Sequence, residues 1–196
     1  MAHIEFFYTL LSPFTYMTRE RPREIAEKHG ATISYRPADF PAIFGETGGL
    51  PVPKRHPFRQ AYRLQELPRL ARRAGVPITL HPAHWPVDAT LASHALIAAG
   101  ARGAEMMPLS HAFLRAVWAE ERDISDPETV DEILTANGQP AAASLDLDAA
   151  AESYRANTEM ALEKGVFGAP FFLVGDEKFW GQDRLDYLDE HLASVS

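Results

Sequence analysis

The apolar positions change period along this chain, and those changes mark out its elements. His3 to Tyr8 is a short aromatic-rich run, which predicts a buried strand. Ser12 follows as a helix cap, with Pro13 at the first helical position. The spacing predicts a helix through Met17 that resumes from Arg23 to Lys28 and stops at Gly30, with a kink or break at Pro22. Ala31 to Arg36 alternates apolar and polar residues, which predicts a second strand, parallel to the first with a right-handed crossover. Helical spacing then takes over. Residues 57–75 and 88–100 each read as a helix finishing at a glycine, and residues 103–122 carry Met106, Leu109, Phe113, Ala116 and Val117 on one face. Ser125-Asp126-Pro127-Glu128 has a capping-box spacing and opens a helix through Leu134. A further helix is expected from about Asp148 to Lys164, before Gly165. No good strand candidate lies between residues 40 and 165. Phe171 to Val174 is then a buried strand, Gly175-Asp176 a turn, and Lys178 to Trp180 its hairpin partner. Gln182 or Asp183 starts a closing helix with Leu185, Leu188 and Leu192 facing inward.

Composition narrows the chemistry. The 196 residues include no cysteine, which excludes disulfides, thiolate metal sites and redox work by the protein's own thiols. Chemistry on a thiol that arrives with a ligand stays open. The formal net charge of −8 argues against nucleic acid as a partner. The charge is uneven, however: Lys54, Arg55, Arg59, Arg63, Arg69, Arg72 and Arg73 stand against a single Glu66 in that stretch. Such a segment is either a solvated helix face or a border for a small anionic ligand. No signal-like N-terminus and no apolar run of about 18 residues is present, so no membrane association and a cytoplasmic setting are expected.

A βαβ unit and a ββα unit flanking a helical insertion, with Pro170 just before the third strand, is the order of the thioredoxin fold. The expected division is a thioredoxin-like domain from 1–38 and 166–196, and an all-helical domain at 39–165. In that fold the site lies where the first helix begins, facing a proline with a cis peptide bond, here Ala169-Pro170. A cis X-Pro bond is uncommon and marks a tight turn; it would turn the backbone of Ala169 outward to pair with an extended, peptide-like ligand.

Four segments carry a more specific likeness: "SPF" after the first strand, "EERDISDPETV", "KGVFGAPFFLV" and "FWGQDRLDYL". Together they resemble the 2-hydroxychromene-2-carboxylate isomerases, relatives of kappa-class glutathione transferases and of the disulfide oxidoreductases. The resemblance covers nearly the whole chain. It implies a glutathione-dependent isomerase of aromatic degradation, a homodimer, acting on an unsaturated aromatic carboxylate by reversible thiol addition. A kappa-like transferase and a non-catalytic thiol- or peptide-binding module are the alternatives.

The resemblance also assigns residues. Ser12 takes the place of the first cysteine of a Cys-Pro-x-Cys motif and Thr15 that of the second. Ser12, with Pro13 and Phe14, would meet the glutathione sulfur. A hydroxyl and unpaired N–H groups at a helix start lower the pKa of a bound thiol from about 8.5. Read locally, Ser12 is equally an ordinary helix cap. Ala169 and Pro170 would hold the cysteinyl part of glutathione, and Gln182 and Asp183 its γ-glutamyl end, although Asp183 also suits a helix cap. Lys54, Arg59, Tyr62 and Trp85 are the substrate-binding candidates. Trp118 and Phe14 are either pocket wall or plain core. Four departures from the family pattern stand out: Thr9 in place of Asp, Gly49 in place of Asn, Arg59 in place of Lys, and Glu66 where Asp is expected. His81 and His84 have a metal-like spacing, but Pro82 breaks any helix between them and no metal is expected.

Overall fold

The computed structural model describes residues 1–195. Strand β1 (His3–Tyr8) pairs in parallel with β2 (Thr32–Pro37), Ile4 opposite Ile33. Helices α1 (Pro13–Tyr16) and α2 (Arg21–Lys28) make the crossover. Strand β3 (Phe171–Val174) runs antiparallel to β1, and β4 (Glu177–Trp180) antiparallel to β3. The sheet order β2-β1-β3-β4 is that of the thioredoxin fold. β1 and β3 lie at its centre, so Phe6 stacks between Tyr8 at 4.6 Å and Phe172 at 4.5 Å.

Six helices separate β2 from β3: α3 (Phe40–Thr47), α4 (Pro57–Ala74), α5 (Thr90–Ala101), α6 (Met106–Trp118), α7 (Pro127–Ala136) and α8 (Leu147–Glu163). A 3-10 turn, Gln182–Arg184, leads into α9 (Leu185–Val195), whose Leu185, Leu188 and Leu192 are buried as expected. No described helix is long and apolar enough to cross a membrane.

Several local expectations are corrected. The break in the first crossover falls at residues 17–20, where Arg19 adopts φ 50°, and not at Pro22. Pro22 sits in the first turn of α2, where its missing N–H would be unbonded anyway, so it opens a helix instead of kinking one. Helix α5 runs through Gly100; a Cβ there would lie 2.3 Å from Met106 Sδ, so this glycine serves close packing and is not a stop. Helix α7 is capped by Asp126, which accepts from the Thr129 N–H at 2.9 Å. Ser125 donates to Asp123 instead. Helix α3, capped by Asp39 and buried through Phe40 and Ile43, was not expected.

The core covers both sheet faces. Ile4, Phe6, Tyr8 and Phe172 share one buried cluster with Leu96, Phe113, Leu114 and Trp118 of α5 and α6 and with Leu188 of α9. Phe7, Phe171 and Leu173 pack on the other face with Ile43 and Ala161 of α3 and α8. A third cluster joins Met17 to Leu67 and Ala71, and Phe14 packs against it. That cluster ties α4 to the segment that carries Ser12.

Candidate active site

Beyond β1 the chain turns through Thr9, whose carbonyl accepts from the Ser12 N–H at 3.2 Å. Ser12 has extended backbone (φ −89°, ψ 118°), and Pro13 fixes the first residue of α1. The Ser12 hydroxyl accepts from the Thr15 N–H at 3.1 Å, so it is a helix cap. It also donates to the carbonyl oxygen of Ala169 at 3.2 Å, which no cap requires. Ser12 is therefore a helix cap whose hydroxyl also reaches the backbone of Ala169. Helix α1 has only four residues, so few peptide dipoles align behind it. The hydroxyl and nearby N–H groups count for more here than a macrodipole. Thr15 is fully buried, and its Oγ1 meets no partner.

The peptide bond between Ala169 and Pro170 is cis. Gly168, just before it, lies so close to Trp180 that a Cβ would fall 2.3 Å from the indole Nε1. The Pro170 carbonyl accepts from the Gly181 N–H at 2.9 Å, which brings the Gln182–Arg184 turn beside the proline. Gly181 has φ 111°, a conformation that suits glycine. Gln182 is half-buried and Asp183 exposed, 3.7 Å from Arg184. Gly181 holds the cap position of that turn, so Asp183 does not cap it.

On the other side of Ser12, the Trp85 indole N–H donates to the Leu11 carbonyl at 3.0 Å. Trp85 lies 5.3 Å from Trp118, and the Arg63 guanidinium covers both rings, at 4.9 and 5.5 Å. Arg63 is only 8% exposed. Burial, with the Arg55 charge nearby, pushes its pKa down to about 10, so it still carries its charge at neutral pH.

A family model for the DSBA-like thioredoxin domain matches residues 3–193. The chain is 30% identical over 205 residues to a 2-hydroxychromene-2-carboxylate isomerase of Sphingobium xenophagum, covering 96% of this chain and 97% of that one. The chain belongs to the 2-hydroxychromene-2-carboxylate isomerase family, built on a DSBA-like thioredoxin domain. A solved 2-hydroxychromene-2-carboxylate isomerase superposes on this family member with a TM-score of 0.76 at 26% identity, over 98% of this chain and 95% of the other. Glutathione S-transferase kappa 1 of Rattus norvegicus is 24% identical over 94% of this chain and 88% of its own length.

The structure brings some of the candidate residues of this isomerase-family chain together and leaves others apart. Ser12, Pro13, Ala169 and Pro170 share one site, with Trp85 joined to it through Leu11 and the Gln182 turn joined through Gly181. Phe14 is half-buried on the Met17 cluster. Lys54, Arg59 and Tyr62 are exposed, and none has a hydrogen bond or ion pair to Ser12 or Trp85 among the described residues. Tyr62 faces Glu66, whose hydrogen bond raises the phenol pKa. Arg63 belongs to the basic run but not to the individual substrate-binding candidates; its signal was its position four and eight residues before the buried Leu67 and Ala71.

The departures also acquire a setting. A Cβ at Gly49 would lie 2.4 Å from Phe44 Cδ1, so the Phe44 ring fills the space a side chain would need. The Thr9 hydroxyl accepts from the Leu11 N–H at 3.4 Å within the turn before Ser12. His84 lies 3.6 Å from Asp123, a carboxylate the sequence did not place beside it. The described residues contain no group of three side chains placed to hold a metal. A surface hollow of about 210 Å³ is lined by Gly103, Glu105, Leu109 and Asn137, and none of the candidate residues borders it.

Proposed function

We propose that this chain is a glutathione-dependent isomerase acting on an unsaturated aromatic carboxylate of the 2-hydroxychromene-2-carboxylate type. The observation that carries the reading is the Ser12 hydroxyl facing the Ala169 carbonyl beside Pro170, in a chain similar along its whole length to isomerases of that substrate. The donor set fits glutathione. A hydroxyl that already donates outward can turn its proton to a sulfur anion, and Thr15 holds a second buried hydroxyl with no partner. The Ala169 backbone suits pairing with the cysteinyl part of an extended peptide. The half-buried Gln182 and the acidic Asp183 suit its γ-glutamyl end, Asp183 accepting from the α-ammonium.

Bound glutathione, its sulfur held at Ser12 and its cysteinyl backbone at Ala169, would supply a thiolate for reversible addition to the substrate's conjugated double bond. The protein's own part is to keep the sulfur ionised at Ser12 and to hold the substrate plane near Trp85. The same reading carries a small anionic aromatic substrate, a cytoplasmic homodimer, and the division into 1–38 with 166–196 and 39–165. The test is to follow 2-hydroxychromene-2-carboxylate with and without glutathione. Interconversion with its trans isomer only in the presence of glutathione supports the proposal. The kappa 1 similarity favours a second reading as a transferase, and accumulation of a stable glutathione conjugate would establish that instead. No turnover together with thermal stabilisation by glutathione would point to a binding module.

A further inference from the structure

We propose that Arg63 and Trp118 form the carboxylate receptor of this site. The proposal rests on the reading of Ser12 as the reactive position, and it adds the group that would fix a ligand's anionic end. Helix α4 turns Arg63, Leu67 and Ala71 inward on one face. Leu67 and Ala71 pack with Met17, one turn beyond Ser12 along the chain, and so hold α4 against that segment. Arg63 continues the same face by one turn. Its guanidinium covers the indoles of Trp85 and Trp118, and Trp85 is hydrogen-bonded to the residue before Ser12.

Two buried donors in this cluster lack acceptors. Arg63 Nη2 and Trp118 Nε1 both meet no hydrogen-bond partner. None of the ion pairs among the described residues includes Arg63, although the chain's other buried or half-buried arginines find carboxylates or carbonyls: Arg36 pairs with Glu5 and Arg55 donates to Leu50. Burying a guanidinium without an anion is costly, and leaving an indole N–H unbonded adds to the cost. Lying over two indoles offsets part of it through the ring quadrupoles, but an indole face accepts no in-plane N–H. A planar carboxylate satisfies what remains. It can accept side by side from the guanidinium fork and take the indole N–H as well. Lys54 and Arg59 are exposed and so are weaker candidates for this role.

A carboxylate can come from an aromatic substrate or from the glycyl end of glutathione. The test compares wild type with Arg63→Met, which keeps the side-chain volume and removes a buried charge, so the variant should melt no lower than wild type. The probes are 2-hydroxycinnamate and its neutral amide, and glutathione and its glycyl ethyl ester, each measured by calorimetry and thermal shift. We expect the acid of one pair to bind wild type at least tenfold more tightly than its neutral partner. In Arg63→Met that preference should fall by about 10- to 100-fold. Loss confined to the cinnamate pair identifies the substrate as the source, and loss confined to the glutathione pair identifies the peptide. Arg63→Lys should restore part of the preference. Equal preferences in wild type and Arg63→Met overturn the proposal, as does a lower melting temperature with binding unchanged. Intact acid preference without any isomerisation would defeat the functional reading above and leave this inference standing.

Discussion

The Ser12 hydroxyl and the Ala169 carbonyl oxygen lie 3.2 Å apart across 157 residues of sequence. This contact joins the start of α1 to the residue before Pro170, and the role proposed for Ser12 toward a thiolate can be tested apart from its role as a cap. Ser12→Ala should remove the cap at a cost of about 1 kcal/mol, or roughly 2–4 °C in melting temperature for a chain of this size. The rate of isomerisation should fall by about 10²–10³-fold, since a donor to developing charge is lost. Steady-state assays beside thermal melts check this. A rate loss no larger than the stability loss explains would leave Ser12 as a cap alone.

Gly181→Ala should damage the site's second wall. The residue sits at φ 111°, a Cβ would fall 2.5 Å from Asp183 Oδ1, and its N–H holds the Pro170 carbonyl. Such backbone placement costs a side chain about 1–3 kcal/mol. Gly30→Ala is the control, because a Cβ there meets nothing within 4 Å although φ is also positive. The expectation is a larger drop in melting temperature for Gly181→Ala, with weaker glutathione binding. Equal melting temperatures for the two variants would refute it.

Tyr8 and Ser110 form a buried hydroxyl pair at 2.7 Å, linking β1 to α6. Tyr8→Phe should destabilise by about 1–3 kcal/mol, largely because Ser110 is left unpaired. The double variant with Ser110→Ala should recover part of that loss. Urea unfolding of the four proteins gives the coupling directly, and strictly additive losses would mean that the pair contributes nothing as a pair.

His111 stacks on Tyr16 at 5.0 Å, and its Nδ1 is buried without a partner. Burial holds its pKa below the usual range, Arg19 and Arg115 add to the shift, and Glu20 opposes it. The sign follows from linkage. Below about pH 6.5 the unfolded chain takes up a proton that the folded imidazole resists, so stability contributed by neutral His111 is lost as pH falls toward its depressed pKa. Wild type should therefore lose stability relative to His111→Phe between about pH 7 and 5. Denaturant melts across that range check the slope, and a relative gain by wild type on acidification would reverse the assignment.

The sequence made legible what punctuation and period mark clearly. β1, the hairpin around Gly175-Asp176 and α4 ending before Gly75 all fall close to their expected limits. Helix α3 escaped because its eight residues, with Pro41 and Gly45, give too short a periodic run, although Asp39 before Phe40-Pro41 was a readable start. Pro22 and Gly100 misled for one reason. Each can end a helix, and tertiary placement decided otherwise. At the site, Ser12, Ala169 and Trp85 come together by contacts across 74 and 157 residues, which local pattern cannot supply. Lys54 and Arg59 stood out by charge, but charge alone does not say which side chain a helix turns inward. The spacing of Arg63 to Leu67 and Ala71 does.

The most direct measurement is the ionisation of the glutathione thiol on the protein. Ultraviolet thiolate absorbance is titrated against pH for the bound peptide in wild type and in Ser12→Ala. Free thiols of this kind ionise near pH 8.5. A bound thiol pKa clearly below that value is expected in wild type, moved back toward it in Ser12→Ala. A bound thiol that titrates at the free value in both proteins would contradict the role proposed for Ser12.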